Sequence, residues 1–338
     1  MNIALLLLVL ISIYNISFSK KNDYLSKSQT TEINGIFVGL IFLGHFSQYI
    51  EYGKWDFIFR TIHNKMGQLI VVPFLFYSGY GIMTSIMKKG IDYINKIPVN
   101  RILTVWCHFA GAIILFYITG FLLGSRYSFT LVLKALTGWQ SIGNSNWYIF
   151  CVLCLYVFVY ISFKLFKNND AAALVLVILL CCSYIFLLKV KKDQWWYDTI
   201  LVYPFGMIYA KYQEMIERYI LKNNVMYIVS VMMTAYLGYI TFHNRSSFIY
   251  FEGLCICFCV SILLITYKVH IGNSICGFLG KYTFEIYILQ RIPMMLLQHI
   301  VKEKYVYLFL SFVFTLLLAV MFKSIFDKID NKIKAIFV

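Results

Sequence analysis

What most limits the folds open to this chain is its division into apolar stretches of helix length. A helix needs about 20 predominantly apolar residues to cross a hydrocarbon core about 30 Å thick. Eleven such stretches can be read along the sequence, at about 2–18, 33–50, 69–87, 102–123, 147–166, 171–188, 197–210, 224–242, 248–267, 284–300 and 304–322. No polar stretch between them is long enough to fold as a second domain, and no internal repeat or low-complexity linker is visible. Backbone inside a membrane must satisfy its own hydrogen bonds. The expected fold is therefore all-α, a polytopic transmembrane helical bundle of about eleven helices. Composition points the same way: the 338 residues are 61% hydrophobic with a mean hydropathy of +0.74, above the apolar share of ~45–50% usual in soluble domains.

Thirty Lys and Arg against fifteen Asp and Glu give a net charge of +15. The basic residues fall in short runs between apolar stretches, which is the pattern of loops obeying the positive-inside rule and not of a nucleic-acid-binding face. Counted on alternate sides of the membrane, Lys and Arg number eighteen against eleven. This asymmetry places the N-terminus outside and the C-terminus in the cytoplasm. Nothing basic precedes Ile3, whereas Lys20 and Lys21 follow the first stretch; that order describes a retained anchor and not a cleaved signal peptide. Residues 1–30 are thus read as an additional N-terminal anchor with a basic loop, 31–325 as the main ten-helix membrane domain and 326–338 as a basic cytoplasmic tail. Abundant Lys, Asn, Ile and Tyr fit an AT-rich bacterium and hence its cytoplasmic membrane. Cys151-x-x-Cys154 has no second pair and no polar surroundings, so neither a metal site nor a disulfide is expected.

His45 lies well inside the second stretch, where an ionisable group costs about 2.5–3.5 kcal/mol at the membrane centre and is rarely kept without a task. Twelve residues beyond Ile33, it is expected about 18 Å deep, just past the midplane toward the outside. Gly35, Gly39 and Gly44 beside it permit close approach of another helix or of a ligand. The third stretch is expected to break at Pro73 and at Ser78-Gly79-Tyr80-Gly81, with the Ser78 hydroxyl near the midplane. Lys88, Lys89, Lys96 and Arg101 gather cations in the next loop. The outer side is aromatic: Trp139, Asn144, Asn146, Trp147 and Tyr148 in or next to one loop, and Trp195-Trp196-Tyr197-Asp198 near another, serve either as a membrane-edge belt or as a stacking platform for sugars. Arg291 inside the tenth stretch needs a partner or a watery cavity. Glu252 is expected to pair with Arg245 or to orient a polar group, and His108 to serve packing or the inner side. His63, His243, His270 and His299 carry no signal.

These residues, taken in order, carry a resemblance. An intramembrane histidine, a Phe-rich stretch ending in Ser78-Gly79-Tyr80, and a basic loop leading into Arg101-Ile102-Leu103 come first. Asn146-Trp147-Tyr148-Ile149 and Leu279-Gly280-Lys281-Tyr282-Thr283-Phe284-Glu285-Ile286-Tyr287-Ile288-Leu289 follow. Over about residues 31–325 the set resembles acyltransferase family 3 of membrane O-acyltransferases. Two positions depart from it: Asn34 stands where the family usually has a basic residue, and Gln290 where a late histidine is usual.

The resemblance implies transfer of an acyl group, usually acetyl from cytoplasmic acetyl-CoA, to a hydroxyl of a surface or lipid-linked glycan. Acyl-CoA would be a co-substrate, with no bound cofactor. His45 would be the catalytic base or acyl carrier. Lys88, Lys89, Lys96 and Arg101 would hold the CoA phosphates, and Ser78, Tyr80, Asn146, Trp147, Tyr148 and Arg291 the acceptor. The partners are then acyl-CoA, the glycan acceptor and the lipid bilayer, with homo-oligomerisation left open. The competing reading is a transporter or flippase, or a polymerase-type protein of polysaccharide export, since mid-membrane His and Arg also suit a translocation path.

Overall fold

In a computed structural model, which describes residues 1–18 and 23–337, the chain is an all-α bundle. Lys20 and Lys21 lie outside the described residues. The helices in order are α1 (Asn2–Ile13), α2 (Lys27–Phe46), α3 (Phe57–Met66), α4 (Val72–Ile97), α5 (Thr104–Leu122), α6 (Phe129–Leu136), α7 (Trp147–Leu165), α8 (Asp170–Lys189), α9 (Val202–Ile216), α10 (Asn224–His243), α11 (Phe248–Lys268), α12 (Ser274–Lys281), α13 (Thr283–Leu289), α14 (Arg291–Leu297) and α15 (Lys304–Phe337). One two-residue antiparallel pairing joins β1 (Ser17–Phe18) to β2 (Val269–His270). Six helical stretches among the described residues are long and apolar enough to cross a membrane. The chain is a multi-pass membrane protein. The end at which α2 starts is called inner below, and the end at which it stops, outer.

Several of the eleven expected stretches take a different form. The first is a helix of only 12 residues, about 18 Å long, because Asn15 adopts a positive φ of 70° and ends it. Its start is held where the Phe59 N–H donates to Asn2 Oδ1 at 2.7 Å, and its far end where Asn273 Nδ2 donates to the Ile11 carbonyl at 2.6 Å. Pro73 does not break the third stretch: it occupies the first turn of α4, where its missing N–H would have no intrahelical partner. The Ser78–Gly81 run continues that helix, and the actual kink is at Gly90, with φ 56°. The seventh stretch starts at Val202 instead of 197; Pro204 again lies in a first turn. The tenth, expected as one helix over 284–300, is instead two short helices, α13 and α14, divided at Gln290, and a further short helix, α12, precedes them. The eleventh continues well past 322, and α15 is 34 residues long.

Small residues set the packing around α2 and α4. A Cβ at Gly35 would fall 1.8 Å from the Cys276 carbonyl oxygen, and one at Gly280 would fall 1.8 Å from that of Thr31, so α12 lies backbone against backbone on α2. Gly39 meets Leu8 of α1, and Gly44 meets the ring of His63 on α3. The three glycines of α2 thus admit three different neighbours.

Candidate active site

Two cavities and a cleft run from one end of the bundle toward the other. The outer cavity, about 590 Å³, is lined by residues that include His45, His63, Ser145, Asn146, Trp147 and Arg291. An inner cavity of about 290 Å³ is lined by Ser78, Tyr148, Tyr156, Lys281, Glu285 and Lys323 among others. Ile41, Val71 and Tyr287 line both. At the inner end an open cleft of about 680 Å³, between Lys27, Ser28 and Thr31 of α2 and Gly277, Gly280 and Lys281 of α12, shares Gly280 and Lys281 with the inner cavity.

His45 is not near the middle of its helix. α2 begins at Lys27 and stops at Phe46, where a short 3₁₀ turn over Ser47–Tyr49 takes over. This places the imidazole in the last turn, about 27 Å from the helix start. Its Nδ1 is buried with no hydrogen-bond partner, and its ring centroid is 6.0 Å from that of Tyr287. Across the cavity, Arg291 at the start of α14 donates from Nε to Ser145 Oγ (3.0 Å), from Nη1 to the Tyr49 hydroxyl (3.4 Å) and from Nη2 to Gln48 Oε1 (2.6 Å). The guanidinium is thereby fixed with its positive charge at the cavity wall.

The other residues expected at the site separate into groups. Asn146 and Trp147 line the outer cavity, and Asn146 Nδ2 donates to the Gly138 carbonyl at 2.8 Å. Ser78 and Tyr148 line the inner one; the Ser78 hydroxyl is 3.3 Å from that of Tyr156, and Tyr148 packs edge-on against Tyr287 with ring centroids 5.4 Å apart. Tyr80 points away from both cavities, donating to Gln213 Oε1 of α9 at 2.7 Å. Arg101 donates from Nε to the Tyr93 hydroxyl at 3.1 Å and lies in electrostatic reach of Tyr156. Lys88, Lys89 and Lys96 are exposed and line none of these spaces.

The aromatic loops also divide. Trp195 lines the outer cavity, whereas Trp139 and Trp196 hold Lys192 between them, its Nζ 4.1 and 4.0 Å from the two ring centroids. Burial there pulls the ammonium below its ordinary pKa, against the opposing charge of Asp193. Glu252 does not pair with Arg245 by any salt bridge among the described residues; it accepts the Leu201 N–H at 3.3 Å.

Several site residues carry no obvious sequence signal. His63 rides on α3, a ten-residue helix that no long apolar stretch announces, and it reaches the cavity only because Gly44 has no side chain. Lys27 and Lys281 look like ordinary loop cations. At the inner end, His108 Nε2 is 3.1 Å from Asp330 Oδ2, and Lys323 Nζ is 3.2 Å from Glu285 Oε1 and 3.6 Å from Asp327 Oδ1. These pairs tie α5, α13 and α15 together beside the inner cavity.

Comparison with known proteins gives one match: residues 33–324 fit the family model described as an acyltransferase domain. No curated protein and no solved structure matches the chain.

Proposed function

The chain belongs to acyltransferase family 3 and is a membrane acyltransferase, and from that premise we propose that it moves an acetyl group from acetyl-CoA, arriving at the inner end, to a sugar hydroxyl at the outer end. The acceptor is a surface or lipid-linked glycan, and the membrane is the cytoplasmic membrane of a bacterium. The observation that carries this reading is the placement of His45. Its unpartnered, buried nitrogen belongs to a ring at a wall whose other face is a separate cavity leading to a lysine-lined cleft.

His45 acts as the base. The acceptor hydroxyl gives its proton to the imidazole as its oxygen attacks the thioester carbonyl; the C–O bond forms, the C–S bond breaks, and the proton passes on to the leaving thiolate. The last turn of α2 suits that role, since the carbonyl end of a helix stabilises the imidazolium formed in the step. Arg291, held by Ser145, Tyr49 and Gln48, orients the acceptor.

At the donor end, Lys27 and Lys281 flank the cleft and make no ion pair among the described residues. They meet the CoA phosphates, and the pantetheine arm enters the inner cavity. Asn34 is three turns below His45 on the same face of α2 as Val38 and Ile41, which line that cavity. The cation missing at Asn34 is supplied from another helix by Lys281, whereas Lys323 is already paired with Glu285 and Asp327. Mass spectrometry of the surface glycan from cells with and without the gene tests the reading. Acetyl substituents lost on deletion, and restored by the wild-type gene but not by His45→Gln, are expected; identical spectra overturn it.

A further inference from the structure

We propose that Ile41, Val71 and Tyr287 form an acyl-size filter, which admits a short, unbranched acyl group to His45 and rejects longer ones. The inference rests on the reading just given, in which the donor comes from the inner cavity and the acceptor from the outer one. Of the side chains lining the two cavities, these three line both. They are the wall that the acyl carbon has to pass.

Three observations make that wall selective. All three side chains are buried, at 6%, 8% and 6% exposure for Ile41, Val71 and Tyr287, so the wall is packed protein and not a loose surface. Tyr287 is flanked on both sides: by the ring of His45 from the outer cavity and by the edge of Tyr148 from the inner one. The helix that carries it is held to α15, since Glu285 on the same short α13 pairs with Lys323.

The chemistry of the passage follows from its lining. Two β-branched aliphatic side chains and an aromatic ring leave the Tyr287 hydroxyl as the one polar group the three contribute, so the passage discriminates by the size and shape of the acyl group. Close packing makes each methylene beyond what the gap admits count, by a factor of roughly 10 to 200 in rate. Trimming either Val71 or Tyr287 removes that discrimination, whereas replacing Tyr287 by Phe leaves the ring in place.

Inside-out membrane vesicles carrying the full chain, supplied with radiolabelled acetyl-CoA or butyryl-CoA, test this through the ratio of butyryl to acetyl label fixed in the glycan fraction. The wild type and Tyr287→Phe are expected to favour acetyl strongly. Val71→Ala and Tyr287→Ala are expected to raise the ratio by about tenfold or more, at membrane levels checked by immunoblot. Val71→Ala removes only two methyl groups, so it keeps the test valid where Tyr287→Ala does not accumulate. A ratio unchanged in Val71→Ala, or a wild type that takes butyryl as readily as acetyl, overturns the filter while leaving acetyl transfer standing. A wild type that fixes label from neither thioester overturns the donor reading and the filter with it.

Discussion

Gly79 of α4 and Gly206 of α9 face each other across a helix crossing so close that neither tolerates a side chain. A Cβ at Gly79 would fall 2.1 Å from the Tyr203 carbonyl oxygen, and one at Gly206 would fall 2.3 Å from that of Phe76. The obstacle in both cases is backbone, which cannot move aside as a flexible side chain would. Gly79→Ala or Gly206→Ala is therefore expected to destabilise the bundle by about 1–3 kcal/mol or more. Thermal unfolding in detergent checks this, with Gly81→Ala, which has open space around its Cβ position, as the matched control. Equal melting temperatures for all three variants would contradict the crossing.

His45→Gln and His45→Ala are both expected to reach the membrane at normal levels, since removing a costly polar group does not weaken the apolar helices. Glycan acylation should fall by roughly 10²–10⁴-fold in each, the usual contribution of a positioned acid or base. Retained activity in the Gln variant would make the residue a packing element and end its assignment as base.

The donor end separates two sets of lysines. Lys281→Ala is expected to raise the KM for acetyl-CoA with little change in that for the acceptor, and a combined Lys88→Ala, Lys89→Ala variant to alter neither. Steady-state kinetics in inside-out vesicles, varying one substrate at a time, make the comparison. The opposite pattern would move the phosphates from the α2–α12 cleft back to the loop after α4.

Asp198, in the turn before α9, is 5% exposed. Burial pushes its carboxyl up to about 7 from an ordinary 3.8, against opposing hydrogen bonds from its own backbone and Gln194. The unfolded chain ionises this group first, so the fold loses stability as pH rises from the ordinary value to the raised one, and the loss is constant above that. Asp198→Asn removes the penalty. Its gain in melting temperature over the wild type should be larger at about pH 8 than at about pH 5; a gain independent of pH would refute the argument.

What could be read from the sequence, and what could not, follows a physical division. His45, Ser78 and Arg291 stand out because a polar group in an apolar stretch is costly, and Gly35, Gly39 and Gly44 because nothing but close approach explains them so near together. Pro73 misled, since proline is a breaker inside a helix but an ordinary first-turn residue, and an apolar run hides where the first turn is. The division of the tenth stretch at Gln290 has no breaker residue to announce it. Tyr287 falls in the late motif of the resemblance but is one tyrosine among 27; its position between two cavities appears only in the fold. Lys27 and Lys281 resemble every other inner-side cation until α12 folds against α2 and brings them to one cleft. His63 depends on the absence of a side chain at Gly44, a relation between two helices that no local pattern records.

The thinness of the partition at Tyr287 has an electrical consequence. Water reaching into both cavities would carry each side's potential up to the wall, so the drop that a bilayer spreads over about 30 Å would be concentrated across a few side chains. A unit charge moved through the full membrane potential exchanges about 2.3 kcal/mol per 100 mV, and here most of that would be felt within one aromatic ring. A proton leaving the acceptor on the His45 side and one reaching the thiolate on the Tyr148 side would then stand at different voltages. The acyl group crosses the wall the other way, so the two shifts of charge offset each other over the whole transfer, and the energised state of the membrane would bear on the proton step alone.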